Sequence, residues 1–248
     1  MTPSRRGRRE GRLVGGPRSV TEIAADGLRR RIVTGALPQG AHISEQAIAD
    51  ELGVSRAALR EALRLLERDG LVVTVPRAGS RVVSLTLRDA YEIVTLREHL
   101  EDFAIGLGVP SADPARLASL AEAVERMERN AECGDEEAAG TDGLDFHRAF
   151  IGLAGHAQLE AAFGVIVQPL GLLMGLNRRS TAGSETLHER AERHRRVLTR
   201  VEAGDAAGVR AELRSHTTTG FLEDGVLPRG DADDVVLAWA RGRLSARR

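Results

Sequence analysis

The stretch Ile43–Ser80 reads ISEQAIADELGVSRAALREALRLLERDGLVVTVPRAGS and predicts two helices joined by a tight turn, followed by a β-hairpin. Ser44 is suited to the N-cap of the first helix, since its hydroxyl can accept a hydrogen bond from a first-turn amide. Gly53 is suited to end that helix, because glycine tolerates a positive φ. Ser55 is placed to cap the second helix, whose apolar face repeats at spacings of four and three residues: Leu59, Leu63 and Leu66.

The second helix also carries an arginine face, made by Arg56, Arg60 and Arg64 at intervals of four residues. Arginine at the exposed start of such a helix suits phosphates and guanine edges in the major groove of DNA. An ordinary amphipathic helix with a solvated cationic face has the same spacing, so the arginines alone leave both interpretations open. The DNA-binding interpretation is that of a helix-turn-helix motif with its recognition helix.

The residues after the second helix favour the DNA-binding interpretation. Leu71–Val75 and Ser80–Ser84 are predicted strands, and residues 76–79 form the turn between them. A hairpin in this position is a wing, and Arg77 at its tip suits the negative potential of a neighbouring minor groove. With a further predicted helix at Val20–Thr34, residues 19–84 are expected to form a winged helix-turn-helix of three helices and a β-wing.

The balance of charge also changes near the end of this predicted domain. The first 88 residues hold 16 arginines and 9 acidic residues, whereas the remainder holds 19 arginines and 27 acidic residues. A basic first third joined to an acidic remainder is typical of a nucleic-acid-binding module attached to a domain with another role. Residues 1–18 are rich in arginine and glycine and have no apolar period, which predicts a disordered basic tail.

Composition narrows the class of protein. Hydrophobic residues make up 42% of the chain but aromatic residues only 3%, which favours a helical core of Leu, Val, Ala and Ile. The sequence contains no run of 18 apolar residues, so it predicts no transmembrane helix. The N-terminal arginines are not followed by an apolar segment, as they would be in a secretory signal. The single cysteine, Cys133, cannot form an intrachain disulfide. We therefore expect a cytoplasmic protein that does not contact a membrane.

The segment IVTGALPQGAHISEQAIADELGVSRAALREALRLLERDGLV, residues 32–72, resembles the winged-helix domain of the GntR family of bacterial transcription factors. The resemblance implies DNA contacts from the start of the recognition helix, from one residue of the preceding helix and from the wing tip. Relatives often carry arginine at the contact position of the preceding helix, where this chain has a glutamine, which can read an adenine. The implied contact residues are Ser55, Arg56, Arg60, Gln46, Arg77 and Gly79.

From Leu87 onward the apolar period is helical, which predicts an all-α bundle in residues 85–225. Gly134–Gly143 is expected to be a loose acidic segment, Pro169 a kink and Arg178–Ser184 a polar link. Residues 226–248 are expected to be a tail, either loose or with a short helix around Val235–Arg241. The predicted bundle helices are Asp89–Gly108, Pro114–Ala131, Leu144–Leu153, Gln158–Gly175, Leu187–Ala203 and Ala206–Phe221.

Three motifs in this region, YEIVTLREHLED, DFHRAF and ERHRRVLTRVEAGDAAGVRAELRSH, resemble the FCD ligand-binding domain of the FadR-like subgroup. In metal-binding FCD domains, histidines at three motif positions ligate a divalent metal together with an aspartate. The matching histidines here are His147, His194 and His216, and imidazole suits Zn²⁺ or Ni²⁺. Without the resemblance, three scattered histidines would be interpreted as surface or core residues.

The position at which the family places its aspartate, four residues before the first histidine, is Gly143. Asp145 lies about 200° from His147 around the helix, at roughly 100° per residue, so it is expected to point away. Asp142 would reach the metal only if the start of the helix were irregular. The resulting expectation is a three-histidine site completed by water, by Asp142 or by the effector.

Arg97 and Glu101 lie one turn apart on the first bundle helix. They can form an ion pair between residues i and i+4, or Arg97 can clamp the carboxylate of an effector inside the bundle; both interpretations stay open. The combined prediction is a homodimeric repressor, and not an enzyme, that binds an inverted-repeat DNA operator and responds to a small carboxylate. Two alternatives are a metal-free bundle that takes an acyl-type ligand and a metal-dependent enzyme tethered to DNA.

Overall fold

The computed structural model describes residues 18–180, 185–216, 220–222 and 226–245. The predicted basic tail therefore lies outside the described residues, apart from Arg18. The N-terminal part of the structure alternates helices with short strands. Its elements are α1 (Val20–Thr34), β1 (His42–Ile43), α2 (Glu45–Leu52), α3 (Arg56–Arg68), β2 (Val72–Val75) and β3 (Gly79–Val82).

The three helices of this part begin where capping residues predict. The hydroxyls of Ser19, Ser44 and Ser55 accept hydrogen bonds from first-turn amides of α1, α2 and α3. Gly35 and Gly53 then end α1 and α2 in the left-handed conformation. The apolar faces of α1 and α3 meet in a shared core that includes Leu28, Ile32, Leu59 and Leu66.

The wing is a three-stranded antiparallel sheet in the order β1-β3-β2. The hairpin pairs Val75 with Gly79, and β1 adds to its other side by pairing Ile43 with Ser80. The two wing strands agree with the prediction to within a few residues. Strand β1 was not predicted, because two residues are too few to show an alternating pattern.

The rest of the described chain is helical, as the apolar period predicts. Its core is continuous with that of the winged helix. The elements are α4 (Leu87–Gly108), α5 (Pro114–Glu132), α6 (Glu136–Gly152), α7 (Ala157–Ser180), α8 (Leu187–Glu202), α9 (Ala206–His216), a 3₁₀ turn (Gly220–Leu222) and α10 (Asp234–Ser245).

Two predicted helix boundaries in the bundle are wrong. Helix α6 begins at Glu136 and not at Leu144, because Asp135 accepts a hydrogen bond from the amide of Ala138 and caps the helix. Acidic residues also favour the positive end of a helix dipole, so this acidic stretch starts a helix instead of forming a loop. Helix α7 includes Pro169, as predicted, but it ends at Ser180 and not at Gly175, because the half that follows the proline is buried against its neighbours.

Helix α7 is also the one described helix that is long and apolar enough, by length and composition, to cross a membrane. The most apolar 18-residue window of α7 has a mean hydropathy of 1.7, and half of that window is buried inside the fold. Helix α9 ends at His216, before the predicted end at Phe221, and the next three residues lie outside the described part of the chain.

The last part of the chain contains an ordered helix, α10, which packs on α4. The ring of Trp239 meets Tyr91 edge-on at 5.4 Å between centroids. Arg243 donates to the carboxylate of Glu98 at 2.6 Å. Of the two predicted forms of this segment, the terminal helix is correct, and it is longer than expected at both ends. Its position on α4 was not predicted, since the partners are more than a hundred residues apart in sequence.

The winged helix packs against the bundle through the C-terminal end of α1. A Cβ atom added at Gly175 of α7 would lie 2.1 Å from the carbonyl oxygen of Val33. The backbones of α1 and α7 are therefore closer here than they could be if residue 175 carried a side chain. One turn earlier, Gly171 faces the side chain of Val33 across a Cβ distance of 3.5 Å. The guanidinium of Arg178 donates to the Val33 carbonyl at 3.2 Å. These contacts hold the winged helix against α7.

Replacement of Gly175 by alanine should therefore push α1 away from α7. We expect Gly175→Ala to lower the free energy of unfolding by about 1–3 kcal/mol, the usual cost of adding a group to a packed contact. Thermal or urea unfolding of the whole chain measures this effect.

Gly164→Ala on the same helix is the matched control, since a Cβ there meets nothing within 4 Å. Alanine in place of an interior helix glycine should raise stability by roughly 0.5–1 kcal/mol. Equal stability changes in the two variants would contradict the close approach of α1 and α7.

Candidate functional site

The start of α3 presents two arginines to solvent. Ser55 accepts a hydrogen bond from the amide of Ala58 at 3.1 Å and so fixes the first turn of the helix. The side chains of Arg56 and Arg60 are each 57% exposed on the first two turns. Because α3 buries its opposite face in the core, these guanidinium groups project from the surface of the winged helix.

A carboxylate on α2 orients both arginines. Glu45 accepts from Nε of Arg60 at 2.7 Å and lies 4.0 Å from the guanidinium of Arg56. Gln46, next to Glu45, donates its side-chain amide to Asp50 at 2.8 Å. In this arrangement the predicted contact residues of α2 and α3 lie side by side, and their groups are partnered within the protein. Phosphates or bases would have to replace these partners.

The wing tip has the backbone geometry of a tight turn. Arg77 has a φ of 64° and is the one non-glycine residue with positive φ in the described chain. Gly79 has a φ of 78°, and a Cβ there would lie 3.0 Å from Nε2 of His42. His42, which showed no functional pattern in the sequence, thus lies against the tip beside the two predicted contact residues. The strained turn exposes the Arg77 side chain to solvent.

A second candidate site is a cavity inside the bundle. It offers about 50 Å³ to the centres of water molecules, which is room for a few waters or a small ligand. Part of the wall is apolar, with Leu170, Leu173 and Phe221. The rest is charged or polar and comes from α4, α6, α7, the segment before α8, and α8: Arg97, His147, Asn177, Arg178, Glu185, Arg190, Arg193 and His194.

Arg97 and Glu101 form an ion pair that is buried and not on the surface. Nε of Arg97 lies 3.6 Å from Oε1 of Glu101, and the same oxygen lies 2.7 Å from Nδ1 of His147. Burial raises the pKa of the Glu101 carboxyl, but the charges of Arg97 and His147 outweigh this effect and lower its pKa overall. Both readings of Arg97 remain open, since it pairs with Glu101 and also lines the cavity.

His147 on α6 and His194 on α8 are both buried and both line the cavity. Nδ1 of His194 lies 2.7 Å from the carbonyl oxygen of Arg190, so this nitrogen carries the proton. The contact with Glu101 favours the same tautomer for His147. Burial lowers the pKa of His194 well below its usual value, which keeps the ring neutral at pH 7. In the His194 ring the lone pair is then on Nε2, the form that ligates metals.

Of the other two ligands considered for the metal site, one is not described and the other is placed away from this pair. The side chain of His216 lies outside the described residues. Asp142 is buried elsewhere, where it accepts from Asn130 at 2.8 Å and from Arg126 at 3.2 Å, both on α5. Within the described part of the chain, no group of three or more His, Cys, Asp or Glu has the arrangement of a metal site.

The distance between the two histidine rings also determines whether they can bind the same metal ion. The centroids of His147 and His194 are 6.3 Å apart. Two imidazoles on one tetrahedral ion have centroids roughly 5 Å apart, given metal–nitrogen bonds of about 2.0–2.1 Å. The donors are thus of the right type, but they must move about 1 Å closer to share an ion. At Gly143 a Cβ would lie 2.7 Å from Cε of Met174, so methionine fills the space of the family's aspartate.

The cavity carries an excess of positive charge that the sequence patterns did not indicate. Glu185 lies 2.7 Å from Arg193 and 3.7 Å from Arg190, so one carboxylate faces two guanidinium groups. Arg178 adds a third cation. The feature of the sequence that could have indicated this charge is the pair of arginines at the end of an apolar helix. That pair lies at the start of the segment that was interpreted as a polar link.

Comparison with known proteins matches both parts of the chain. The family model described as "Bacterial regulatory proteins, gntR family" matches residues 21–82, and the model described as "FCD domain" matches residues 92–219. The protein named "Probable D-xylose utilization operon transcriptional repressor" from Paenarthrobacter nicotinovorans is 30% identical over 220 residues. That alignment covers 89% of this chain and 95% of the relative.

Solved structures give the same result for the fold. A GntR transcriptional regulator from Rhodococcus sp. RHA1 superposes with a TM-score of 0.67 at 22% identity, covering 92% of this chain and 99% of that one. McbR/YncC from E. coli superposes with a TM-score of 0.64 at 26% identity, covering 81% and 94%. Both likenesses extend over the winged helix and the bundle together.

The buried contact of Arg97 and Glu101 can be tested by Glu101→Gln. The substitution removes the buried negative charge that faces Arg97 and His147, and we expect it to lower the free energy of unfolding by about 3–5 kcal/mol. Because the folded pKa of Glu101 is lowered, its stabilisation is present above the unfolded value of 4.5 and is lost as pH falls through the folded pKa. The difference between wild type and variant should therefore shrink on acidification.

Urea unfolding at a series of pH values measures this difference. Glu125→Gln is the control, since Glu125 also faces an arginine four residues away, Arg129 at 3.8 Å, but on the surface. It should change stability by less than about 0.5 kcal/mol at any pH. A Glu101→Gln variant as stable as this control would contradict the buried pair.

Proposed function

Because the chain belongs to the GntR family of bacterial regulatory proteins and carries an FCD domain, it is a DNA-binding transcriptional regulator, and we propose that it is a repressor controlled by a small carboxylate. The observation that carries the proposal is the cationic cavity in the bundle, whose wall includes Arg178, a residue that also contacts α1. Ligand and DNA sites are thereby linked through one residue of α7.

In the DNA-bound form, Ser55, Arg56 and Arg60 on α3 and Gln46 on α2 read the major groove. Arg77 and Gly79 enter the adjacent minor groove. An arginine in a narrow minor groove is favoured by its negative potential, and guanidinium forks on guanine specify sequence. The exposure of Arg56 and Arg60 supports this assignment, as does the position of Gln46 beside Glu45, which orients both arginines.

The repressor acts as a homodimer on an inverted repeat, since two recognition helices one DNA turn apart need a two-fold arrangement. An apolar stripe on α4 supports an interface between two copies in the bundle. Leu96, Phe103 and Leu107 are about half exposed, and their spacing of seven and four residues puts them on one face of the helix. A second copy of this chain would bury that stripe.

The effector is a small carboxylate held by the cationic wall of the cavity. Arg97 is one of its contacts, with Arg178, Arg190 and Arg193 nearby. Guanidinium groups bind carboxylates through paired charge-assisted hydrogen bonds, and a water-poor cavity strengthens them. Effector binding shifts the two winged helices relative to each other and lowers operator affinity. The small cavity and its charged wall argue against the alternative of a long acyl ligand.

A divalent metal, Zn²⁺ or Ni²⁺, is the proposed cofactor of the bundle, held by His147, His194 and His216 and completed by water or the effector. A metal there would supply a further positive charge for the carboxylate. The burial of His147 and His194 at the cavity and the tautomer of His194 support the proposal, whereas Gly143 and the turned-away Asp142 remove the family's fourth ligand. The relatives are transcriptional regulators, and the alternative of an enzyme has no support from them.

The DNA assignment predicts that Arg56→Ala and Arg60→Ala each weaken binding to the natural operator by about 1–3 kcal/mol, because each removes a base or phosphate contact. Fluorescence anisotropy with labelled operator measures the dissociation constant and, at saturation, the number of chains bound.

Arg64→Ala is the control variant, since Arg64 lies on the same helix face one turn further from the helix start and pairs with Glu61. It should change operator affinity less than either upstream variant. Unchanged operator affinity in both Arg56→Ala and Arg60→Ala would show that α3 is not the recognition helix.

The effector assignment predicts which ligands stabilise the protein. In thermal unfolding we expect xylonate or a smaller carboxylate such as glycolate to raise the melting temperature, with a larger shift when Zn²⁺ or Ni²⁺ is present. D-xylose, the neutral counterpart of xylonate, should give no shift, because the cavity wall selects negative charge. The same carboxylate should lower operator affinity.

His147→Ala separates the metal from the carboxylate. Loss of bound metal in this variant, by metal analysis of the purified protein, supports the histidine site. Wild-type protein without metal at full operator affinity and full carboxylate response would refute the proposed cofactor. Stabilisation by acyl ligands alone would favour the acyl-binding alternative.

A further inference from the structure

Arg178 stands between the cavity and the winged helix. It lines the cavity near the end of α7, and its guanidinium donates to the carbonyl oxygen of Val33 at 3.2 Å. Val33 lies in the last turn of α1, where backbone carbonyls have no partner within the helix. A cation at this end is favoured both as a hydrogen-bond donor and by the helix dipole. Arg178 therefore caps α1 from the bundle side.

The charge of Arg178 is poorly compensated in this position. Burial and the nearby charges of Arg190 and Arg179 lower the pKa of Arg178 to about 10, so it is still protonated at neutral pH. Among the described residues, no carboxylate lies within ion-pair distance of it, whereas its neighbours Arg190 and Arg193 share Glu185. A partly buried guanidinium that is paired with a neutral carbonyl binds an anion more strongly than it binds the carbonyl.

Helix α1 passes any change on to the recognition helix. Leu28 and Ile32 of α1 pack in the same core as Leu59 of α3, and Arg29 donates to Asp69 at the end of α3 at 2.6 Å. A shift of the C-terminal turn of α1 thus alters how α3 is presented to DNA. The hydrogen bond from Arg178 to Val33 therefore connects the cavity, through α1, with the DNA-reading surface of α3.

We infer that Arg178 is the residue through which the carboxylate effector controls DNA binding: the carboxylate and the Val33 carbonyl compete for one guanidinium. This inference rests on the proposed carboxylate-responsive function and specifies its coupling residue. When the cavity is empty, Arg178 caps α1 and holds the winged helix on α7. When a carboxylate enters, Arg178 turns to it, the cap on α1 is lost, and the winged helix is released from its DNA-binding position.

The test compares operator affinity with and without carboxylate for wild type, Arg178→Met and Arg179→Met. Methionine has a similar length to the arginine stem and suits a buried site. Arg179 is the matched control: it is the next residue of α7 and donates to the Thr34 carbonyl at 3.4 Å, but it does not line the cavity. The probes are acetate, glycolate, xylonate and citrate, with D-xylose as the neutral control.

We expect Arg178→Met to bind the operator about tenfold more weakly than wild type before any carboxylate is added, because α1 has lost its cap. No probe should weaken it further or raise its melting temperature. Arg179→Met should respond to the active carboxylate as the wild type does. Arg178→Lys, which keeps the charge but not the fork, should fold and show a response several-fold weaker than wild type.

The outcomes separate the inference from the function it rests on. If Arg178→Met and Arg178→Lys lose operator affinity on carboxylate addition to the same extent as wild type, the inference is wrong and the proposed function stands. If the operator affinity of the wild type responds to none of the carboxylates, both are wrong. Circular dichroism melting of each variant confirms that a lost response does not reflect unfolding.

Discussion

The approach of the Val33 carbonyl to the backbone of Gly175 is the contact on which the arrangement of the two parts depends. Only a residue without a Cβ lets α1 come so close to α7, and the Val33 carbonyl is then within reach of Arg178 on the next turn. The position of α1 is thereby determined by the bundle. Since α1 and α3 share one core, the bundle also determines how the recognition helix is presented.

The buried and partly buried charges of the bundle have a common organisation. Glu101 lies between Arg97 and His147, and Glu185 lies between Arg190 and Arg193. Burying so many ionisable groups is costly even when they are paired, and replacement by apolar residues often stabilises a protein. Their presence around one small cavity is thus better explained by a ligand than by stability, which is the physical basis for proposing a carboxylate effector.

The histidine pair illustrates how far a family pattern extends to one chain. His147 and His194 are both buried, and His194 is neutral and in the tautomer that ligates metals, as the pattern implies. The aspartate is absent, Met174 occupies its space, and Asp142 is committed to Arg126 and Asn130 on α5. The donor set is consequently smaller than that of the family, and the charge of the cavity comes from arginines.

The sequence by itself determined the elements whose signals are local: the serine caps and glycine ends of α1 and α2, the apolar period of α3, and the hairpin of the wing. Such signals act within about one helical turn, so they can be interpreted without knowing the fold. Local rules failed where packing overrode them, as in α7, which continues past the predicted end at Gly175 to Ser180 because its second half is buried. Only the tertiary structure decided which distant charges meet, that Arg178 faces both the cavity and Val33, and that Asp142 faces α5. Those contacts join residues far apart in sequence, and their partners depend on how whole helices pack.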